Sequence, residues 1–247
     1  ARRIAHEIKN PLTPIQLAAE RLQRRYGKNI DPTDSTFARL TETIIRQVGD
    51  LRRMVDEFSS FARMPKPVFR EEALVDIVRQ AVFLHEVAHS DTRFLVEHDG
   101  AMPHLVCDRR QIGQALSNLV KNAVEAVEAN HERDERGEVR VLVSSTDGQV
   151  LVRVLDNGIG LPVERDRIVE PYMTTRARGT GLGLAIVKKI IEEHFGTIEF
   201  FDRPEGGTEV RLVFDSRLLA GLKEAGGAAD REAETPHPAL TRNRNNA

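Results

Sequence analysis

Residues 6–12 read HEIKNPL, and the rest of the chain is organised around them. Glu7 follows His6 directly, and Asn10 lies one helical turn further along. Apolar side chains recur every three or four residues around this stretch, at Ile4, Ile8, Leu12, Ile15, Ala19 and Leu22. This period predicts an amphipathic helix that ends near Gly27, with His6 and Glu7 outside its apolar stripe. We therefore expect the imidazole and the carboxylate to face outward.

Two prolines, Pro11 and Pro14, lie inside this predicted helix. Each lacks the N–H that would bond to the carbonyl one turn earlier, so we expect a bend beside His6. In an alternative interpretation the helix begins near Pro11, and His6 belongs to a preceding loop. The apolar period continues upstream through Ile4 and Ile8, which favours the longer helix.

The composition limits the class of protein. The chain has 247 residues, 40% of them hydrophobic, which suffices for one or two domains with a core. A formal net charge of -2 does not favour a nucleic-acid surface. The single cysteine, Cys107, excludes an intramolecular disulfide framework. No apolar run approaches the ~18 residues of a membrane-spanning helix. Because the chain does not begin with Met, we expect it to be a fragment whose upstream part is missing.

A second amphipathic helix is predicted after a turn that begins at Gly27, with Asp34 or Ser35 as its N-cap. Its apolar residues again follow spacings of three and four: Phe37, Leu40, Ile44, Val48, Leu51, Val55, Phe58 and Ala62. One hairpin cannot cover both apolar stripes, whereas two hairpins together form a four-helix bundle. We therefore predict a homodimer through the helical hairpin. The alternative is a hairpin that packs on the domain that follows it.

The pattern changes after a short, stiff linker at residues 64–67. Strands are predicted at residues 68–70, 94–98, 105–107, 138–145, 149–155, 197–201 and 208–214, and helices at 73–87, 109–129 and 180–195. The pair Asp147-Gly148 predicts a tight hairpin between two strands. This order favours an α+β sandwich with helices on one face of a mixed, largely antiparallel sheet. We place domain boundaries at 1–64 and 65–215, and interpret residues 216–247 as a disordered tail.

Asn118 and Asn122 lie four residues apart on the long predicted helix, so both side chains project from one face. Buried amides are unfavourable without partners, and amide oxygens are suitable ligands for Mg²⁺. The alternative is a solvated polar face at the margin of the apolar stripe.

Two glycine-containing motifs follow. DNGIG, residues 156–160, comes directly after a predicted strand. The carboxylate of Asp156 could accept a hydrogen bond from the amino group of adenine. The alternative is a turn that simply ends the strand, of which such a motif is also typical. GTGLGL, residues 179–184, opens a helix, where glycines and unpaired N–H groups suit phosphate. Its spacing matches neither a Rossmann fingerprint nor a Walker A loop.

A long irregular loop joins these two motifs. It holds Tyr172, Thr174, Thr175, Arg176 and Arg178. Long loops in compact domains are usually functional, which favours a lid with basic residues over a triphosphate. A variable surface loop is the alternative.

The order of these motifs resembles that of bacterial two-component sensor histidine kinases. HEIKNPL resembles their H box, and the asparagine pair, DNGIG and GTGLGL resemble their ATP-binding motifs, so the likeness spans residues 4–195. EPYMTT, residues 170–175, is similar to the nitrogen-regulation sensors, especially the NtrY type. Many relatives carry phenylalanine where Tyr172 stands, so its contacts are not assumed to be the same.

This resemblance implies a multidomain protein. Its all-α helical hairpin, a dimeric four-helix bundle, would precede an α+β ATP-binding sandwich of the histidine kinase/GHKL type. ATP would phosphorylate His6, and the phosphoryl group would pass to an aspartate of a response regulator. Glu7 would orient the imidazole and accept its proton. Asn10 would position a water in a phosphatase reaction toward the regulator.

The resemblance also implies the binding residues for ATP and Mg²⁺. Asp156 would bind the adenine amino group, Asn122 would be the Mg²⁺ ligand, and Asn118 would support the phosphates. The other implied nucleotide-binding residues are Lys121, Gly158, Gly160, Tyr172, Thr174, Thr175, Arg176, Gly179, Thr180, Gly181, Leu182 and Gly183.

The implied partners are a second copy of the chain and an NtrX-like receiver domain. Nucleic acid is not expected, and the chain would be the cytoplasmic portion of an inner-membrane sensor, linked to the membrane only through the missing upstream segment. Two rival functions remain. ATPase domains of type II topoisomerases, mismatch-repair proteins and a chaperone family are similar, but usually carry glutamate where Asn118 stands. A docking module without turnover would bind ATP and form no phosphohistidine.

Overall fold

The computed structural model describes residues 2–27, 35–62, 64–100, 104–131, 136–162, 165–171 and 180–221, and for residues 2–7, 60 and 166 only the backbone. Two helices form the first part, α1 (Arg2–Tyr26) and α2 (Thr36–Ala62). The prediction of a continuous first helix is confirmed, because α1 includes His6 and contains Pro11 and Pro14. The alternative that His6 belongs to a loop is therefore wrong.

The hairpin is held in an antiparallel arrangement that brings the start of α1 beside the end of α2. Lys9 of α1 forms an ion pair with Asp56 of α2. Because His6 lies one turn before Lys9, the phosphoacceptor candidate belongs to the end of the hairpin at which α2 finishes. None of the described helices is long and apolar enough to cross a membrane.

The contact between α1 and α2 leaves much of their apolar surface uncovered. Among the described hairpin residues, Leu12, Ala19 and Val48 are the buried hydrophobic ones. Large apolar side chains that stay 37% to 57% exposed are Ile8, Ile15, Leu17, Leu22, Tyr26, Leu40, Ile44, Leu51 and Met54. The alternative of a hairpin covered by the following domain leaves this surface unexplained.

The second part is a two-layer sandwich. Its helices are α3 (Leu74–Ala88), α4 (Arg109–Ala129) and α5 (Gly183–Glu193), and its strands are β1 (Arg70–Ala73), β2 (Thr92–His98), β3 (His104–Cys107), β4 (Gly137–Thr146), β5 (Gln149–Asp156), β6 (Gly196–Asp202) and β7 (Thr208–Asp215). The main sheet has the order β2-β4-β5-β7-β6, and β1 pairs with β3 separately. Only the β2–β4 pair of the main sheet is parallel. The predicted α+β sandwich with a largely antiparallel sheet is confirmed.

The core lies between the helices and one face of this sheet. Alternate residues of β4 and β5 are buried, as a half-covered sheet requires. Between these strands Asp147 has a φ of 53° and Gly148 a φ of 85°, as the predicted tight hairpin needs. Phe214 and the α4 residues Ile112, Leu116 and Leu119 are among the most buried side chains.

Three predicted boundaries need correction. The first strand begins at Arg70 rather than residue 68, because the Val68 N–H donates to the Asp108 side chain instead of a neighbouring strand. The third helix of the sandwich spans Gly183–Glu193, shorter than predicted, because Gly181 takes a left-handed φ of 67°. The predicted tail begins too early, since residues 216–221 are helical and Leu219 is fully buried. Residues 222–247 lie outside the described part.

The linker between hairpin and sandwich is bound to the start of α4. Gln111 donates to the Pro65 carbonyl over 2.8 Å. One oxygen of Asp108 accepts from the Val68 N–H, and the other caps α4 by accepting from the N–H groups of Arg110 and Gln111, each over 3.0 Å. The hairpin therefore reaches the sandwich through a linker that is hydrogen-bonded to it.

A fully buried histidine supports the same junction. His194 Nδ1 donates to the Ile190 carbonyl over 2.8 Å, and its Nε2 accepts from the Asp108 N–H over 3.0 Å. The ring also makes an edge contact with Phe69, at 5.3 Å between centroids. Because Nε2 accepts a hydrogen bond, the ring must be neutral. Burial lowers the pKa of His194.

This buried neutral ring predicts a pH dependence of stability. Below about pH 6.5, His194 binds a proton in the unfolded chain but not in the folded protein. The free energy of unfolding should therefore fall as the pH decreases below that value. Above that value the buried ring makes its full contribution to stability. We expect His194→Gln to reduce the difference in stability between pH 7.5 and 5.5, measured by urea denaturation. His85 has a lowered pKa too, so part of the difference should remain.

The exposed residue His98 offers the matched control. His98→Gln should retain the full difference between the two pH values. If the stability of the His194 and His98 variants differed equally between the two pH values, the role given to the buried ring would be contradicted.

Candidate functional site

A cavity of about 450 Å³ lies where α4, α5 and the main sheet meet the end of α2. Its lining contains many of the residues singled out in the sequence: Asn118, Lys121, Asn122, Asp156, Gly160, Thr180, Gly181 and Gly183. Apolar walls come from Leu119, Val154, Leu161, Ile186 and Phe200. The arrangement is typical of a small-molecule site, in which an apolar pocket holds a few convergent polar groups.

Asp156 ends β5 and is only 4% exposed. Its Oδ1 accepts from the N–H groups of Gly158, over 2.9 Å, and Thr208, over 3.2 Å. Its backbone carbonyl accepts from Arg203 over 2.7 Å. These contacts fix the carboxylate between the turn after β5 and the start of β7, where it lines the cavity.

Two glycines allow this arrangement. A Cβ on Gly207 would lie 2.0 Å from the Asp156 carbonyl oxygen, and a Cβ on Gly158 would lie 2.4 Å from the Ala126 carbonyl carbon. The turn is further held to α4 because the Ile159 N–H donates to the Ala126 carbonyl over 3.1 Å. Gly158 does not line the cavity but packs closely against α4, and its contact with a nucleotide stays a prediction.

The asparagine pair lies at the edge of the buried face of α4. Both side chains are half-buried and line the cavity, and Asn118 donates to the Gly183 carbonyl over 3.4 Å. Lys121 is exposed, with its Nζ 3.9 Å from a Glu125 oxygen. Asn118 therefore also connects α4 to the first turn of α5.

The glycine-rich segment opens α5 toward the same cavity. The Leu182 N–H donates to the Thr180 hydroxyl over 3.3 Å. A Cβ on Gly183 would meet nothing within 4 Å, so the backbone here borders open space. Leu182 is an exception, because its side chain is fully buried and does not line the cavity. This side chain fixes the start of α5, and a contact of the Leu182 backbone with a nucleotide stays a prediction.

Several predicted residues cannot be placed. Tyr172, Thr174, Thr175, Arg176 and Gly179 lie outside the described residues. The structure gives His6 and Glu7 helical backbone and no side-chain position, whereas Asn10 is exposed on α1. Contacts of these residues with a nucleotide stay predictions.

The hairpin contributes residues to the cavity that the sequence did not predict. Arg53, Asp56 and Glu57 of α2 line the cavity together with the sandwich residues. Glu57 accepts a hydrogen bond from the Thr180 hydroxyl. No signal in the sequence identifies these residues, because charged positions beside an apolar stripe are typical of any exposed helix face.

The fit of a divalent cation can be judged from the donors present. Among the described residues, no group of three or more His, Cys, Asp or Glu side chains could hold a metal ion. Mg²⁺ commonly takes only one or two protein oxygens and completes its shell with water and substrate phosphates. The amide oxygen of Asn122 in a cavity large enough for a nucleotide fits this second mode.

The close approach of Gly207 to Asp156 generates a prediction. Gly206→Ala and Gly207→Ala should each cost ~1–2 kcal/mol of backbone strain, because both residues have a left-handed φ near 90°. Only Gly207→Ala adds overlap with the Asp156 carbonyl, so it should lower the free energy of unfolding by at least about 2 kcal/mol more than the control. Urea denaturation of the two variants measures the difference. Equal losses would contradict the steric account.

Comparison with known proteins supports one family. Residues 1–67 match the family model "His Kinase A (phospho-acceptor) domain". Residues 107–218 match the model "Histidine kinase-, DNA gyrase B-, and HSP90-like ATPase". The chain is 56% identical over 217 residues to nitrogen regulation protein NtrY of Azorhizobium caulinodans. That alignment covers 86% of this chain, and the chain spans 28% of the relative's length.

Solved structures agree with this assignment. The catalytic domain of histidine kinase ThkA is 32% identical, with a TM-score of 0.54, over 60% of this chain and 96% of that one. Histidine kinase ThkA in complex with response regulator protein TrrA is 28% identical, with a TM-score of 0.62, over 87% of this chain and 60% of that one. Because a phospho-acceptor hairpin and an ATPase sandwich occur in this order and the sequence follows NtrY across both, the chain belongs to the sensor histidine kinases of the NtrY type.

Proposed function

We propose that this chain is the kinase core of a two-component sensor, which transfers the γ-phosphoryl group of ATP to His6 and then to an aspartate of a response regulator. One observation carries the proposal. A single cavity is lined both by the motif residues of the sandwich and by the end of α2. That end of α2 lies beside the start of α1, where His6 is located.

Adenine is the base that this cavity would accept. The Asp156 carboxylate is buried and fixed by two backbone N–H groups, so it presents acceptor oxygens at the cavity wall. A carboxylate accepts from the amino group of adenine, whereas guanine presents a carbonyl at the corresponding position. Val154 and Phe200 supply apolar walls of the same cavity.

The triphosphate would extend toward α5 and the asparagine pair. Unpaired N–H groups and the partial positive charge at a helix N-terminus favour phosphate, and α5 begins at the cavity. Asn122 would hold Mg²⁺, with Asn118 supporting the phosphates. The ion would neutralise charge on the phosphates.

His6 would act as the nucleophile. A nitrogen of the neutral imidazole forms the new N–P bond as the bond from the γ-phosphorus to the ADP oxygen breaks, and Glu7 takes the imidazole proton. An unperturbed histidine is already partly neutral at pH 7, so no strong base is needed. The protein supplies mainly position and charge neutralisation, as phosphoryl transfer requires.

The hairpin surface supports a second copy of the chain as partner. The exposed apolar rows of α1 and α2 are those that a four-helix bundle would bury. A receiver domain of the NtrX type is the proposed phosphoryl acceptor. Asn10, exposed one turn beyond His6, would position a water that hydrolyses the aspartyl phosphate of that regulator and releases inorganic phosphate. We place this core at the cytoplasmic face of a membrane-anchored bacterial sensor.

Phosphorylation of His6 is tested with γ-labelled ATP and Mg²⁺. The wild-type chain should acquire label that is labile in acid and stable in base, as expected of phosphohistidine, and His6→Ala should acquire none. Label that survives in His6→Ala would contradict the acceptor assignment. ATP binding without any label would favour the docking module that lacks turnover.

The role of Asp156 predicts a change in base preference. Asp156→Asn keeps an oxygen for the two backbone N–H groups but replaces an acceptor oxygen with an amide donor. The affinity for ATP should fall by ~10- to 100-fold, equivalent to about 1–3 kcal/mol, as measured by calorimetry. The affinity for GTP should not fall in parallel, so the preference for ATP over GTP should narrow. An equal loss for both nucleotides would contradict adenine recognition by Asp156.

A further inference from the structure

The end of α2 docks on the sandwich at the start of α5. Glu57 of α2 accepts a hydrogen bond from the Thr180 hydroxyl, and the same hydroxyl accepts from the Leu182 N–H over 3.3 Å. Leu182 is the N-cap residue of α5. The Glu57 carboxylate is thus connected through one hydroxyl to the N-terminus of an 11-residue helix.

A negative charge is favourable at this position for the same reason that a phosphate would be. The N-terminus of a helix carries a partial positive charge and unpaired N–H groups. Glu57 is half-buried and lines the cavity beside Asp56. The carboxylate therefore occupies the end of the cavity at which the phosphates of a nucleotide are expected.

A second contact joins α2 to α5 itself, outside the cavity. Lys189 of α5 donates to the Phe61 carbonyl in the last turn of α2 over 3.4 Å. Its ammonium also lies 5.2 Å from the centroid of the Phe61 ring. A cation at the C-terminus of α2 is favourable for its unpaired carbonyls and its dipole. Lys189 does not line the cavity, so this contact stabilises docking without touching a nucleotide.

We propose that Glu57 is a built-in competitor of the nucleotide phosphates, so that phosphate binding and the docking of the sandwich on α2 exclude one another. The inference rests on the proposed function, whose nucleotide site it regulates. A triphosphate and the Glu57 carboxylate are both negatively charged, and both are stabilised at the N-terminus of α5. The bound nucleotide displaces Glu57, and the sandwich is released from α2.

Competition has a reciprocal consequence. If docking lowers nucleotide affinity, a change that weakens docking must raise that affinity, up to the limit set by the coupling between the two equilibria. Glu57→Gln removes the charge and keeps the shape and hydrogen-bonding capacity of the side chain. Lys189→Met removes the second contact from outside the cavity. Glu42→Gln is the matched control, since Glu42 is exposed on the same helix roughly 22 Å away.

Calorimetric titration with ATP, ADP and adenosine, with Mg²⁺ and with EDTA, tests the proposal. Glu57→Gln should bind ATP and ADP roughly fivefold or more tightly than the wild-type chain, within the range of typical coupling energies. Adenosine has no phosphate to compete with the carboxylate, so it should gain less than ATP. Lys189→Met should also tighten ATP binding, and Glu42→Gln should not. The gain of Glu57→Gln should persist in EDTA.

Each other result overturns the proposal. Unchanged ATP affinity in both Glu57→Gln and Lys189→Met would show that Glu57 does not compete with the nucleotide, and would leave the proposed kinase function intact. Weaker ATP binding by Glu57→Gln that appears only with Mg²⁺ makes Glu57 a ligand of the metal–nucleotide complex instead. No ATP binding by any of the four chains overturns the proposed function together with this inference.

Discussion

The hydrogen bonds of one buried carboxylate hold the site together. Asp156 Oδ1 accepts from the N–H groups of Gly158 and Thr208, so one side chain joins the end of β5, the turn after it and the start of β7. The turn then packs on the backbone of Ala126 in α4, which is possible only because residue 158 has no Cβ. Without these contacts the wall of the cavity that Asp156 forms would lose its fixed position.

The junction with the hairpin depends on a second buried polar cluster. Asp108 caps α4, accepts from the linker at Val68 and donates its own N–H to His194 at the end of α5. The linker is therefore tied to the two helices that border the cavity. At the same end of the molecule, Glu57 of α2 contacts Thr180 just before α5, and Lys189 of α5 contacts the last turn of α2. A change in the hairpin has a direct physical route to the cavity, and the reverse also holds.

Much of the fold followed from local patterns. The periods of three and four residues predicted both hairpin helices, the Asp147-Gly148 pair predicted a turn that needs two left-handed residues, and α4 spans the predicted range Arg109–Ala129. The spacing of Asn118 and Asn122 placed both amides on the cavity wall. The glycine motifs also include residues whose observed contacts are with the protein itself. Gly158 packs on α4 and the Leu182 side chain fills the core, and a motif does not distinguish residues that contact a ligand from those that fix the loop.

The sequence by itself determined the family, the order of the two domains and the residue types available for phosphoryl transfer, since each depends on residues close together in the chain. Only the tertiary structure decided which distant residues share the cavity. Glu57 and Thr180 are 123 positions apart, and Asp108 and His194 are 86 apart. A local period reports which face of an element is buried, but not which element covers it. The partners of Glu57 are set by how α2 packs on α5, and no pattern within α2 alone encodes that contact.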